Sequence, residues 1–208
     1  MTLQLPRGFR CHVTNVGVKD HTDDFTVVAA DATCSAAGVF TQSSFAGASV
    51  LLSRRNIADG RARAMVVLSK NANVATGAQG MADAEEVVAG VAAALGCEPG
   101  EVLIASTGVI GRNYPMDRIR AGLAAIPVPL PGTDALAVAR GIMTTDTVQK
   151  SASASAGNAA VVGVAKGVGM IEPNMATMIT MVFTDAQISS SELDAMFRRV
   201  VDRSFNCV

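Results

Sequence analysis

Residues 166–186 read KGVGMIEPNMATMITMVFTDA and combine reactive with apolar side chains. A lone lysine, Lys166, stands beside two glycines, and the chain then passes a turn at Pro173-Asn174. An apolar run follows, interrupted only by Thr177 and Thr180. A threonine at the start of such a strand has two uses. It packs with its hydroxyl bonded to a neighbouring carbonyl, the ordinary fate of a favoured strand residue, or its oxygen is there to react.

The other routes to catalysis find few residues. The chain has two histidines, His12 and His21, and both precede any recognisable site, so a Ser-His-Asp triad has only formal candidates. No GxGxxG follows a strand and no GxxxxGK[ST] occurs. The four cysteines, Cys11, Cys34, Cys97 and Cys207, form no CxxC pair and have no evident base partner. Neither a zinc site nor a disulfide framework is suggested, and metal catalysis is not expected. One chemistry needs none of these groups. A threonine hydroxyl is a weak nucleophile, but peptide cleavage just before it exposes its own α-amine as general base. That amine titrates near neutrality, roughly 7.7–8.0. The scarcity of histidine is compatible with this design without demonstrating it.

The elements that would position such a site can be read from pattern. Phe25–Ala30 is a strand, and Gly38–Thr41 and Ser49–Ser53 read as further short strands. Arg54–Arg63 is polar, with room for one helical turn. Ala64–Ser69 is a short apolar run of the kind buried on both sheet faces. It ends in Ser-Lys-Asn-Ala-Asn-Val-Ala-Thr-Gly (69–77), either a functional loop or a plain Asn-rich turn. Met81–Leu95 is a helix stopped by Gly96. Val102–Ala105 is a second buried strand ending in Ser106-Thr-Gly-Val-Ile-Gly111. Its glycines either let backbone approach a ligand or merely shape a turn. Met116–Ala125 and Thr133–Met143 are helical, the second capped by Thr133 or Asp134, with a surface connector at Pro127–Pro131 between them. Thr144-Thr-Asp-Thr147 follows. Ser151–Ala156 and Ala159–Ala165 are strands. Ser189–Glu192 is a capping box, and Leu193, Met196, Phe197, Val200 and Val201 form the stripe by which the last helix packs into a core. Interleaved strands and helices give an α/β or α+β class.

Composition narrows the partners. Half of the 208 residues are apolar but only 4% are aromatic, and 17 basic against 18 acidic residues leave a net charge of −1. No basic patch points to nucleic acid. No apolar run approaches 18 residues, so no membrane span is expected, and the default is a soluble cytoplasmic protein.

Five stretches in order carry a resemblance. They are Asn71-Ala-Asn-Val-Ala-Thr-Gly77, Ser106-Thr-Gly-Val-Ile-Gly111, Met143-Thr-Thr-Asp-Thr147, Lys166 through Thr177-Met, and Ser204-Phe-Asn-Cys207. Together they resemble the ornithine acetyltransferase family, the bifunctional glutamate N-acetyltransferases of the cyclic arginine pathway. The resemblance implies layered sheets with flanking helices, similar to an Ntn-hydrolase sandwich. It implies self-cleavage between Ala176 and Thr177, giving an α chain (1–176) and a β chain beginning at Thr177, truncated here at 208. Thr177 would then take the acetyl group of N-acetylornithine and pass it to glutamate in a ping-pong cycle. Thr107 and Gly108 match oxyanion-hole positions, Lys166 a substrate-binding lysine, and Thr144 a substrate-contacting threonine. The family also implies an α2β2 heterotetramer and no cofactor, with acetyl-CoA open as an alternative donor.

Two departures bear on this. Ser69-Lys70-Asn71 stands where arginine-pathway members usually carry Ser-Gly-Asn. The Val-Gly-Met and Asn-Val-Ala-Thr versions look more like the paralogue found beside clavulanic acid biosynthesis genes in actinomycetes, so the pathway stays open. The family's β chain also continues well past Cys207, and the 208 residues alone are not expected to be active. Two other readings compete. One is an Ntn-type amidase or aminopeptidase that gives the acyl group to water, and the other is an inactive, unprocessed binding or assembly partner.

Overall fold

The computed structural model describes residues 2–169 and 178–207. Its framework is a four-stranded sheet in the order β1-β2-β3-β4, built from Phe9–Thr14 (β1), Phe25–Ser35 (β2), Arg61–Asn71 (β3) and Val102–Val109 (β4). The first three strands pair antiparallel, while β3 and β4 run parallel. A parallel pair needs a long crossover, here supplied by α2, Gly77–Leu95. Val66, Val67 and Leu68 on β3 are fully buried, as expected for a strand covered on both faces.

One face of this sheet packs on three helices: α1 (Ala48–Asn56), α2 and α3 (Met116–Ala124). Phe25, Val27, Val66 and Leu68 meet Leu52, Val87, Val91 and Ile119 there. The other face, through Val28 and Val67, meets α4 (Ala135–Gly141) and a second sheet. That sheet is antiparallel in the order β5-β6-β7, from Lys150–Ala156, Ala159–Lys166 and Ile179–Thr184. Val162, Val164, Met181 and Phe183 supply its inward side chains. Alternation along a strand puts Lys166 on the same inward face as Val162 and Val164. It is buried with them. The result is a layered α/β fold, helices–sheet–sheet: the interleaved elements predict its class, and the layers are those the resemblance implies.

Three expectations are corrected. Ser49–Ser53 is part of helix α1, not a strand. Its buried residues are Ala48, Ser49, Leu52 and Ser53, a helical spacing, and the two serines spend their hydroxyls on tertiary bonds. Gly38–Thr41 forms no strand. The stripe on α5 (Ser190–Asp202) is not core: only Val201 is buried, while Met196 and Val200 are exposed. The helix is held at its N-terminal end instead. Its predicted capping box is present, and the Ser35 hydroxyl donates to the Ile188 carbonyl just before it (2.8 Å). Asp134 is the cap of α4, its carboxylate accepting from Leu136 N–H.

Candidate active site

β4 ends at Ser106-Thr107-Gly108-Val109, in register with Leu68-Ser69-Lys70-Asn71 of β3. Alternation separates neighbouring side chains at this end. Ser106 turns toward the helices, where its hydroxyl meets the Tyr114 hydroxyl and Ser49 Oγ (2.8 Å). Tyr114 is buried, and burial pushes its phenol pKa up against the hydrogen bonds it makes. Thr107 turns the opposite way, into the layer between the sheets. There the Lys166 ammonium donates to Thr107 Oγ1 at 3.0 Å. With its oxygen accepting from a cation, the Thr107 hydroxyl keeps its own proton free to donate.

Gly108 is fixed by its neighbour. It has φ +137°, and a Cβ there would fall inside the Lys70 carbonyl. Only glycine fits this contact. Gly111, with φ +76°, has open space around it and serves the turn alone. Lys70 itself has φ +82°, a conformation that favours glycine. This gives the Ser-Lys-Asn departure a physical consequence: a lysine stands where the backbone suits Gly, its ammonium paired with Asp20 (3.0 Å).

The Asn-rich loop is a brace. Asn71 Nδ2 donates to the carbonyls of Arg112 (3.2 Å) and Asn113 (3.0 Å), and its Oδ1 accepts from Asn73 N–H. Asn73 Nδ2 donates to the Gly80 carbonyl, and its Oδ1 accepts from the Thr76 hydroxyl. Backbone bonds from Ala72 to Val109 and from Gly111 to Val74 zip the loops after β3 and β4 together. Of the two readings for residues 69–77, these bonds account for the asparagines structurally.

Around Lys166 lies a charged cluster that sequence reading missed. Asp146, its side chain fully buried, accepts from Lys150 Nζ (2.6 Å), Gly167 N–H (2.8 Å) and Thr144 N–H (3.4 Å). Burial acts to raise its pKa, but those donors outweigh burial and hold it down at about 2. Lys19 donates to the carbonyls of Asp23 (2.6 Å) and Met143 (2.7 Å). Burial lowers the pKa of both Lys19 and Lys166; Asp146 works against this in each. The one available signal for Asp146 was a lone acid among the threonines of residues 144–147.

Thr107 and Lys166 therefore meet in the layer between the sheets, with Gly108 the next residue along β4. Thr144 joins them through the Asp146 carboxylate. Ala176 and Thr177 lie outside the described residues; β7 begins two residues after Thr177, with Ile179 paired to Lys166. Among the cysteines, burial first of all raises the thiol pKa of Cys11, to about 11, and also of Cys34 and Cys97, which disfavours thiolate chemistry. A cavity of about 800 Å³ lies elsewhere, between α1, residues 36–42 and α5. It is an open furrow holding none of these groups. No described helix is long and apolar enough to cross a membrane.

Solved structures share this layered arrangement. An arginine biosynthesis bifunctional protein ArgJ from Bacillus halodurans superposes with a TM-score of 0.72 at 31% identity, over 85% of this chain and 97% of that one. An ornithine acetyltransferase from Mycobacterium tuberculosis, solved with ornithine, does so with a TM-score of 0.69 at 34% identity, over 81% and 94%. The fold is thus that of the acetyltransferase structures solved under these names. The ArgJ family model matches residues 10–208, and the chain belongs to that family. It is 54% identical to arginine biosynthesis bifunctional protein ArgJ 2 of a Nostoc species, over 98% of this chain and 52% of the relative. It is 53% identical to glutamate N-acetyltransferase Oat2 of Streptomyces clavuligerus, over 100% and 53%. The chain therefore spans about half the length of the curated relatives it matches.

Proposed function

We propose that the full-length protein is a glutamate N-acetyltransferase that moves the acetyl group of N-acetylornithine to glutamate on a self-exposed Thr177. The observation that carries this reading is the Lys166 Nζ–Thr107 Oγ1 contact at 3.0 Å, beside the exposed, glycine-only position 108. It joins a cation for a carboxylate to a hydroxyl donor for an oxyanion at one strand end.

In the proposed cycle the Ala176–Thr177 bond is first hydrolysed, water leaving a carboxylate on Ala176 and freeing the Thr177 α-amine. That amine takes the proton of Thr177 Oγ as the oxygen attacks the acetyl carbonyl. Negative charge develops on the carbonyl oxygen, where donors from Thr107 and Gly108 stabilise it; one such donor is typically worth about 3 kcal/mol. The tetrahedral adduct collapses, the amine returns the proton, and ornithine leaves. Glutamate's neutral amine then attacks the acetyl ester, its proton passes by way of the Thr177 α-amine to Thr177 Oγ as the ester bond breaks, and N-acetylglutamate departs. Lys166 anchors the carboxylate common to donor and acceptor, and Thr144 lines the same binding site.

The lengths of the relatives favour cleavage. This chain covers 97% of the Bacillus halodurans chain with 85% of its own 208 residues, about 177, but only about half of the curated relatives. A solved polypeptide of that length fits an α chain ending near residue 176. The associated β chain and an α2β2 assembly belong to the same proposal.

The test is product identity. Full-length protein given N-acetylornithine and saturating glutamate is expected to yield N-acetylglutamate, and Thr177→Ala is expected to abolish it. Free acetate as the dominant product would favour the amidase reading. Undiminished transfer by Thr177→Ala would remove the mechanism.

A further inference from the structure

We propose that Asp146 is a positioning residue of this site, tying the Thr144 backbone to that of Gly167 and standing as the anion beside Lys166. This rests on the functional reading above, because a charged Lys166 matters only if it binds a carboxylate.

The geometry is specific. Asp146 follows α4, and its two carboxylate oxygens divide their partners. Oδ1 accepts from Gly167 N–H at 2.8 Å and from Lys150 Nζ at 2.6 Å, while Oδ2 accepts from Thr144 N–H at 3.4 Å. One side chain thus fixes the candidate substrate threonine relative to the residue that follows Lys166. Gly167 also opens the segment leading to the Ala176–Thr177 bond.

The electrostatics point the same way. The Lys166 ammonium is buried, and burial favours losing its proton. Lys150 on β5 and Lys19 on the 15–24 loop add like charge. Asp23 and Asp24 stand beside Lys19, and Thr107 offers Lys166 only a neutral oxygen. Asp146 is the buried carboxylate that acts on Lys166 to keep it charged. An ordinary buried acid would serve packing alone. This one holds three site segments and offsets two neighbouring cations.

The proposal is tested on full-length protein with two variants that leave Thr107, Thr144 and Lys166 in place. The titration of Lys166 is followed by NMR of ¹³C-lysine-labelled protein, its signal assigned with Lys166→Met. The alkaline limb of kcat/KM for N-acetylornithine is measured in parallel. Asp146→Asn removes the anion and is expected to move both downward by about one pH unit. Lys150→Met removes a cation and is expected to move both upward. A folding role alone would not give opposite signs. Unmoved titrations, or shifts in one direction for both variants, would overturn the proposal; if Asp146→Asn fails to fold, Lys150→Met alone decides it. Acetyl transfer with an unmoved Lys166 sinks this inference only. The expected Lys166 shifts without any acetyl transfer by wild-type protein sink the functional reading instead.

Discussion

Replacing Gly108 with alanine tests how the oxyanion end of β4 is built. Two penalties follow from the structure. At φ +137° a non-glycine residue pays backbone strain of about 1–3 kcal/mol. The new methyl would also sit inside the Lys70 carbonyl, which is backbone in the adjacent strand and cannot rotate away. Relief requires β4 to separate from β3 near Ser106–Val109, so a total of at least about 3 kcal/mol is expected. In the full-length protein, about twice the length of this chain, 1 kcal/mol corresponds to roughly 1–2 °C in Tm, so Gly108→Ala should melt about 3–6 °C lower. Gly111→Ala is the control: its φ of +76° is strained, but a Cβ there meets nothing. It should lose only about 1–2 kcal/mol. Far-UV circular dichroism melts of the full-length variants read both. Equal melting of Gly108→Ala and Gly111→Ala would refute the claim that close approach to Lys70, beyond backbone strain, demands glycine at 108.

Three further outcomes are expected. Lys70→Gly should stabilise by about 0.5–1 kcal/mol, since relief of a left-handed lysine of roughly 1–2 kcal/mol exceeds the added chain entropy of glycine; the exposed pair with Asp20 contributes little. A lower urea midpoint for Lys70→Gly would contradict this. Lys166→Met should cut kcat/KM for both N-acetylornithine and glutamate by about 10–100-fold, the value of a hydrogen bond to a charged group. A loss for only one substrate would argue against a shared carboxylate anchor. Asp146 has a depressed folded pKa of about 2 against an ordinary 3.8, so its stabilisation is present above the unfolded value and is lost as pH falls from about 4 through 2. The loss should amount to about 2 kcal/mol in urea titrations across that window. Asp146→Asn should flatten that part of the acid limb, and an unchanged limb would mean the carboxylate is not held by its donors.

How far the sequence carried varied by element. β3 was legible because Met65-Val-Val-Leu68 is a short apolar run and the strand is buried on both faces. The cap of α5 was legible because Ser189 and Glu192 act locally. Helix α1 was not. Two of its four buried positions are serines, so its helical period carries no hydrophobic signal, and their bonds run to Ser106 and Ile104, far away in sequence. The α5 stripe was visible but its fate was not, because amphipathicity says that a face wants cover and not what covers it. In the site, the five ordered stretches singled out Thr107, Gly108, Thr144 and Lys166. What they could not supply was the role of Asp146, although it lies within the third stretch, or Lys19 at all; the importance of both comes from facing Lys166 across distant segments. The same is true of the Tyr114–Ser106–Ser49 contacts behind Thr107.

The central claim is that Thr177 becomes an N-terminal residue and carries the acetyl group. Intact mass spectrometry of full-length protein incubated with N-acetylornithine tests it most directly. Two chains are expected, separated at Ala176/Thr177, with one acetyl group on the chain that begins at Thr177. A single uncut chain that still transfers acetyl to glutamate would contradict the account.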